Sequence, residues 1–292
     1  MPVFDTPEPI SVSIEIGVGD IRIAASDRTD TVVEVRPSDP ANESDVTAAE
    51  QTRVEYAGGR LVIRAPRGWK QYMPRGGGES IDVQIDLPAG SHVAGEAGVA
   101  SLRCTGRLGE CRYKTGTGDI SLDQAAPVSV RTGAGDIWLE RAVDHAEVTT
   151  GTGAVWIGAV DGTAVIKNSS GDTSLGSVTG DARLRAASGN IMIGTSRAAV
   201  AAKTAKGDIR LREVAGGAVV AETAFGAIDV GIGDGIAAWL DLHTRFGAVQ
   251  NGLDPADRPQ PGQEAAEVRA YTSFGDITVA RSTATSTRKD TA

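Results

Sequence analysis

Five aspartates recur in one register of this chain: Asp119, Asp136, Asp172, Asp208 and Asp276, with Asn190 at a sixth place. Each follows a glycine. Stacked carboxylates can ligate calcium, as they do in glycine-aspartate nonapeptide rolls. Here the spacing is about twice that of such rolls, and Ala154, Ala227 and Ala248 interrupt the series. The other chemistry open to a turn aspartate is structural, a corner Asx-turn in which its side chain caps nearby backbone N–H groups. That second role is the expectation, and no metal is expected. The strings Gly17-Val18-Gly19, Gly133-Ala134-Gly135 and Gly151-Thr152-Gly153 lack the further glycine and helix start of a dinucleotide site. His92, His145 and His243 fall in no metal or catalytic pattern. A carbohydrate-active enzyme of elongated β type would use carboxylates scattered through the sequence, and this is the weakest reading. The chain is read as a non-enzyme without a cofactor.

Two outward stripes carry more. Four residues before each recurring glycine stand Lys114, Arg131, Thr149, Lys167, Arg185, Lys203, Glu222, His243 and Tyr271. Five of the first six are basic. At a strand spacing of about 4.8 Å, Lys114, Arg131, Lys167, Arg185 and Lys203 form a candidate anion column for an anionic polymer. The second stripe reads Ser121, Trp138, Trp156, Ser174, Met192 and Arg210. Trp138 and Trp156 would stand side by side and, with Met192, form a candidate partner surface or lie under a loop. The segment holding Trp69 and Tyr72, flanked by Arg67, Lys70 and Arg75, is either a further contact or that cover.

The elements that place these stripes follow from a repeat. Gly-Asp-Ile-x-Leu or a near variant starts at Gly118, Gly135, Gly153, Gly171, Gly189, Gly207, Gly226, Gly247 and Gly275, with steps of 17, 18, 18, 18, 18, 19, 21 and 28 residues. Earlier copies are read at Gly19 and Gly98. Seven and five residues before the glycines lie apolar pairs such as Val128 and Val130, Ala146 and Val148, and Leu240 and Leu242. Their alternation is that of a strand. A unit of about 18 residues cannot bury its own apolar face, so the units must stack. The expected fold is all-β: a β-solenoid with coils of about 18 residues, one following the next. A large sandwich or barrel is the runner-up, but its strands are rarely spaced so evenly.

Composition agrees. The chain has 292 residues, 37 of them glycine, and only 4% aromatics. Corners need glycine, and a narrow interior favours aliphatic ladders. The net charge of −9 argues against general or specific nucleic-acid binding. Residues 1–95 are expected to form an irregular N-terminal β region, the first coils and a cap, with strands at Val12–Ile16, Thr31–Val35, Leu61–Ile63 and Ile81–Leu87. Asp39–Gln51 has room for one short helical turn. Residues 96–280 read as the regular stack, interrupted by an insertion over 251–267, and residues 281–292 as a disordered tail. Neither a signal peptide nor an apolar run long enough for a membrane helix is visible, so no membrane insertion and a cytoplasmic location are expected. Cys104 and Cys111 are expected to be core thiols, with a disulfide as the alternative.

The repeated Gly-Asp-Ile-x-Leu copies, with Phe4-Asp5-Thr6-Pro7, the block Arg103–Cys111 and Thr272-Ser273-Phe274-Gly275-Asp276-Ile277, resemble the bacterial putative-adhesin family of β-strand-repeat domains of unknown function. The resemblance implies a right-handed single-stranded β-helix over nearly the whole chain. It implies no activity and no site residues. The functional expectation is a non-catalytic scaffold or binding module acting on a protein or on itself, with polyanion binding as the alternative.

Overall fold

Each regular coil turns at a glycine that has no room for a side chain. Gly135 has φ of 147°, and a Cβ there would fall on the carbonyl oxygen of Gly118. Just inside the corner, a buried threonine donates its hydroxyl to the glycine carbonyl of the neighbouring coil. Thr132 bonds Gly118 at 3.0 Å and Thr150 bonds Gly135 at 3.2 Å. Asn168 uses its Nδ2 on Gly153 at 3.0 Å. Just outside the corner, Asp119 Oδ1 accepts the Asp136 N–H at 2.8 Å, and Asp136 Oδ1 accepts the Ala154 N–H at 2.7 Å. The aspartate column is therefore a backbone cap, but one that reaches across to the next coil rather than closing an Asx-turn within its own. Among the described residues, no group of three or more His, Cys, Asp or Glu side chains is arranged to hold a metal.

The computed structural model describes residues 2–66, 79–254 and 265–282, in two compact units, Met1–Thr173 and Ser174–Ala292. The first unit opens with β1 (Val3–Asp5), β2 (Ser11–Ser26), β3 (Asp30–Pro37), α1 (Glu43–Gln51), β4 (Arg53–Ala57), β5 (Arg60–Arg64), β6 (Ser80–Pro88) and β7 (His92–Arg107). It continues as β8 (Cys111–Thr117), β9 (Ile120–Ala125), β10 (Val128–Ala134), β11 (Ile137–Val143), β12 (Ala146–Thr152), β13 (Val155–Asp161) and β14 (Ala164–Ser170). Strands β8, β10, β12 and β14 pair in parallel on one face, and β9, β11 and β13 on the other. Val128, Val130, Ala146, Val148, Ile137, Leu139, Val155 and Ile157 fill the interior. The expected all-β solenoid is the fold that forms.

The start of this unit is not laid down in chain order. β2 is a whole coil in itself, bent at Gly19. It pairs with β7 on one side and with β5 and β6 on the other. β3 then pairs antiparallel with β6, β1 with β3, and β4 with β5. Helix α1 spans nine residues, longer than the single turn expected, and rests near β3 and β6. Asn42 caps it, and buried Asp45 accepts the Ser80 and Asp39 N–H groups at 3.0 and 3.2 Å. The copy read at Gly98 is displaced by two residues. Leu102 pairs with Ile120 and Ala100 with Gly19, so Ala100 stands at the corner.

The second unit comprises β15 (Thr173–Val178), β16 (Ala182–Ser188), β17 (Ile191–Ser196), β18 (Val200–Lys206), β19 (Ile209–Val214) and β20 (Gly217–Phe225). It ends with β21 (Ile228–Ile232), β22 (Ala237–Phe246), β23 (Val249–Asn251), β24 (Ala265–Phe274) and β25 (Ile277–Arg281). One face runs β16, β18, β20, β24, β22. The other runs β17, β19, β21, β25, β23. Contrary to the expectation of consecutive stacking, the last coil of the chain sits inside its predecessor. The corner bonds supply a reason. Asp276 Oδ1 accepts the Ala248 N–H at 2.8 Å. Ala227 has no carboxylate to do the same, so laying β23 directly on β21 would leave that N–H without its cap.

The corner threonines separate two roles one residue apart. Thr150→Val keeps the shape but leaves the Gly135 carbonyl without its donor, and should cost about 1–2 kcal/mol. Outward Thr149→Val should stay within about 0.5 kcal/mol of the parent. Urea unfolding followed by circular dichroism measures both.

Candidate functional site

Strand alternation sends every second residue outward, and parallel pairing in register turns equivalent outward positions into columns. Trp138 of β11 and Trp156 of β13 are register partners. Their rings stack with centroids 3.7 Å apart and planes 17° from parallel. Trp138 is 51% exposed and Trp156 half-buried. Beside them, a Cβ at Gly158 would stand 2.5 Å from the Glu140 carbonyl oxygen and 3.1 Å from the Trp156 ring. Met192 lies in the second unit, half-buried, with Arg210 in register and the Arg212 guanidinium 3.6 Å from its sulfur. The other proposed contacts, Trp69 and Tyr72, lie outside the described residues.

The candidate anion column is mixed in charge. In the first unit, Lys114 pairs in register with Glu96 and Arg131, and Arg131 and Lys167 both flank Thr149. Lys114 is ion-paired with Glu96 at 2.9 Å. In the second unit, Arg185 neighbours Lys203, which is ion-paired with Glu222 at 2.7 Å. The sequence beyond it is Glu222, Tyr271, His243, because the last coil is inserted. Among the described residues, Arg131, Lys167 and Arg185 make no ion pair.

The strongest outward feature escaped the sequence reading. Phe225, Phe274 and Phe246 each precede a corner glycine on β20, β24 and β22. They form a ladder with centroids 5.0 and 4.9 Å apart and planes within 9° of parallel. Their exposures are 56%, 46% and 59%. Three of the chain's four phenylalanines thus face solvent in one row. The signal was the doublet Phe-Gly in the last three copies, where earlier copies have Thr117-Gly118, Ala134-Gly135 or Lys206-Gly207. Nearby, the Tyr271 hydroxyl donates to Asp241 Oδ2 at 2.6 Å. That bond raises the phenol's pKa above its ordinary value. Trp239, also on β22, is 63% exposed.

Both cysteines point inward, are fully buried and are unpaired, so the disulfide alternative falls. Burial pushes the Cys111 thiol up to about 12, and lifts Cys104 well above its ordinary value, with Cys111 adding to the rise.

A family model described as Toastrack DUF4097 matches residues 11–233. No curated protein sequence matches the chain. Among solved structures, a putative adhesin from Bacteroides fragilis is 13% identical, with 95% of each chain covered and a TM-score of 0.33. A putative cell adhesion protein from Clostridium sporogenes is 12% identical over 96% of this chain and 98% of that one, with a TM-score of 0.25. A putative lipid binding protein from Parabacteroides distasonis is 13% identical over 96% of each chain, with a TM-score of 0.36.

The raised thiol pKa values have a direct readout. Raising Cys111 from 9.0 to about 12 lowers its thiolate fraction at pH 8 about a thousandfold. Native protein should therefore consume almost no thiol reagent at pH 8 over an hour, while the urea-unfolded chain should consume two equivalents.

Proposed function

We propose that this chain, which belongs to the Toastrack DUF4097 family, is a non-catalytic β-solenoid binding module that engages protein through its outward aromatic rows. The observation that carries this reading is the open stacking of large rings: Trp138 on Trp156, and Phe225, Phe274 and Phe246 in one ladder. A soluble chain gains nothing by holding such surface in water, whereas preordered aromatics lose little entropy on docking and make good interface anchors. A catalytic role finds less support, since Asp119, Asp136, Asp208 and Asp276 are committed to backbone N–H groups.

A second reading, binding of an anionic polymer, is favoured by Arg131 and Lys167, neither of which has an ion-pair partner among the described residues. The ion-paired Lys114 and Lys203 weaken it, because a polymer must first compete with Glu96 and Glu222.

Affinity capture from native lysate tests the first reading, with Trp138→Ala/Trp156→Ala and Phe225→Ser/Phe274→Ser set beside the parent. At least one pair should reduce recovery of a captured protein about tenfold or more, equivalent to about 1.4 kcal/mol, at unchanged urea midpoint. Equal recovery by all three chains would sink it. For the second reading, Arg131→Glu/Lys167→Glu should elute from heparin at lower salt than the parent. Identical elution removes that reading.

A further inference from the structure

We propose that the free edge of the outermost coil, formed by β22, pairs with the same edge of a second copy of this chain, antiparallel, about a two-fold axis at His243. This deepens the binding-module reading by naming a partner, and it rests on that reading. Among the described residues, β22 is paired along one edge only, to β24, and β23 only to β25. The coil is correspondingly underburied. Leu240 and Leu242 are half-exposed where their neighbours Val268 and Ala270 are fully buried, and Trp239, Phe246 and Val249 are exposed.

A bare edge of ten residues is a template for another strand. Soluble proteins blunt such edges with proline, lysine, a bulge or a cover. The sequence of β22, Ala-Ala-Trp-Leu-Asp-Leu-His-Thr-Arg-Phe, has neither proline nor lysine, and its pairing to β24 is continuous from Ala237 to Thr244. In the first unit the corresponding outermost coil is treated differently, with β4 laid on β5 and β3 on β6. Among the described residues, the free edge of β22 thus has no matching parallel solenoid edge to continue it head to tail. Like must meet like, which makes the contact isologous and antiparallel.

The strand is complementary to itself in that arrangement. Centring the pair on His243 sets Asp241 opposite Arg245 of the second copy, and Arg245 opposite its Asp241. Leu242 meets Thr244 on the inward face, and Trp239 lies over the corner of Gly247. Half-exposed Leu242 becomes covered, and each Asp–Arg pair joins opposite charges across the sheet. Shifting the register by one residue would turn the apolar set to the opposite face.

Light scattering on the full chain, from about 1 to about 200 µM, reads the association directly. The weight-average mass should rise from 30.0 kDa towards twice that value and stop there. Position 243 supplies the specific check. Cysteines directly opposite across an antiparallel pair lie close enough to bridge, so oxidised His243→Cys should run as a disulfide dimer. Gln250→Cys, away from the axis, should cross-link at least tenfold less. Arg245→Asp should abolish the dimer, and Asp241→Arg/Arg245→Asp should recover it. Monomer mass at the highest concentration, growth beyond two copies, or a dimer in which His243→Cys does not cross-link overturns the proposal. A monomer that still loses captured protein on the Trp or Phe substitutions sinks this pairing alone; equal capture by those variants sinks the broader reading instead.

Discussion

The solenoid depends on one corner, made repeatedly. A glycine at strongly positive φ brings the backbone so close to the next coil that its own carbonyl must be satisfied from inside. A short hydroxyl side chain of the following coil, three residues before that coil's own glycine, does this without adding bulk. On the outer side an aspartate takes an N–H of the following corner. Unpaired buried backbone groups are costly. With both sides satisfied, the corner can be repeated, and the aliphatic ladders lie in columns between corners.

Much of this was legible in the sequence, because each position in a coil has a chemical demand that recurs with the period. The inward Val, Ile, Leu and Ala positions, the corner glycines and the capping role of aspartate all follow from spacing. Threonines such as Thr132 and Thr150 carry the same period, but they read as ordinary strand residues until their bonds to the glycine carbonyls are seen. Stack order was not legible at the ends. A repeat says that coils pair, and leaves open which coil pairs with which when a long connection intervenes. Periodicity aligned Gly98 with the corners, whereas pairing with β2 places Ala100 there. Even at Tyr113 the reason is a partner in another copy: a Cβ on Gly95 would stand 2.9 Å from its ring, so that glycine makes room for a residue too large for the usual ladder.

The outer surface divides its residues by what they can do without water. Part of the charged surface satisfies itself locally, as Lys114 does with Glu96 and Arg210 with Asp229 at 3.0 Å. Exposed pairs of this kind add little stability and hold solvent well. The aromatic rows have no such local solution. Stacking covers both faces of Phe274 but only one face of Phe225, Phe246, Trp138 and Trp156 within their rows. Aromatic columns on a stacked fold are therefore open-ended by construction.

The inserted last coil also orders events in time. A nascent chain emerges from its N-terminus, so β22 and β23 leave the ribosome before β24 and β25 exist. In the finished stack their only strand partners among the described residues are those later segments. The outermost coil therefore cannot dock by accretion as it is made. It must wait, with its apolar side uncovered, until the final strands are released and close against β20 and β21. Long-range closure of this kind slows folding and lengthens the exposure of sticky surface. Completion of this end consequently finishes two coils together, and a chain stopped before residue 265 would lack the layer that joins the outermost coil to the rest.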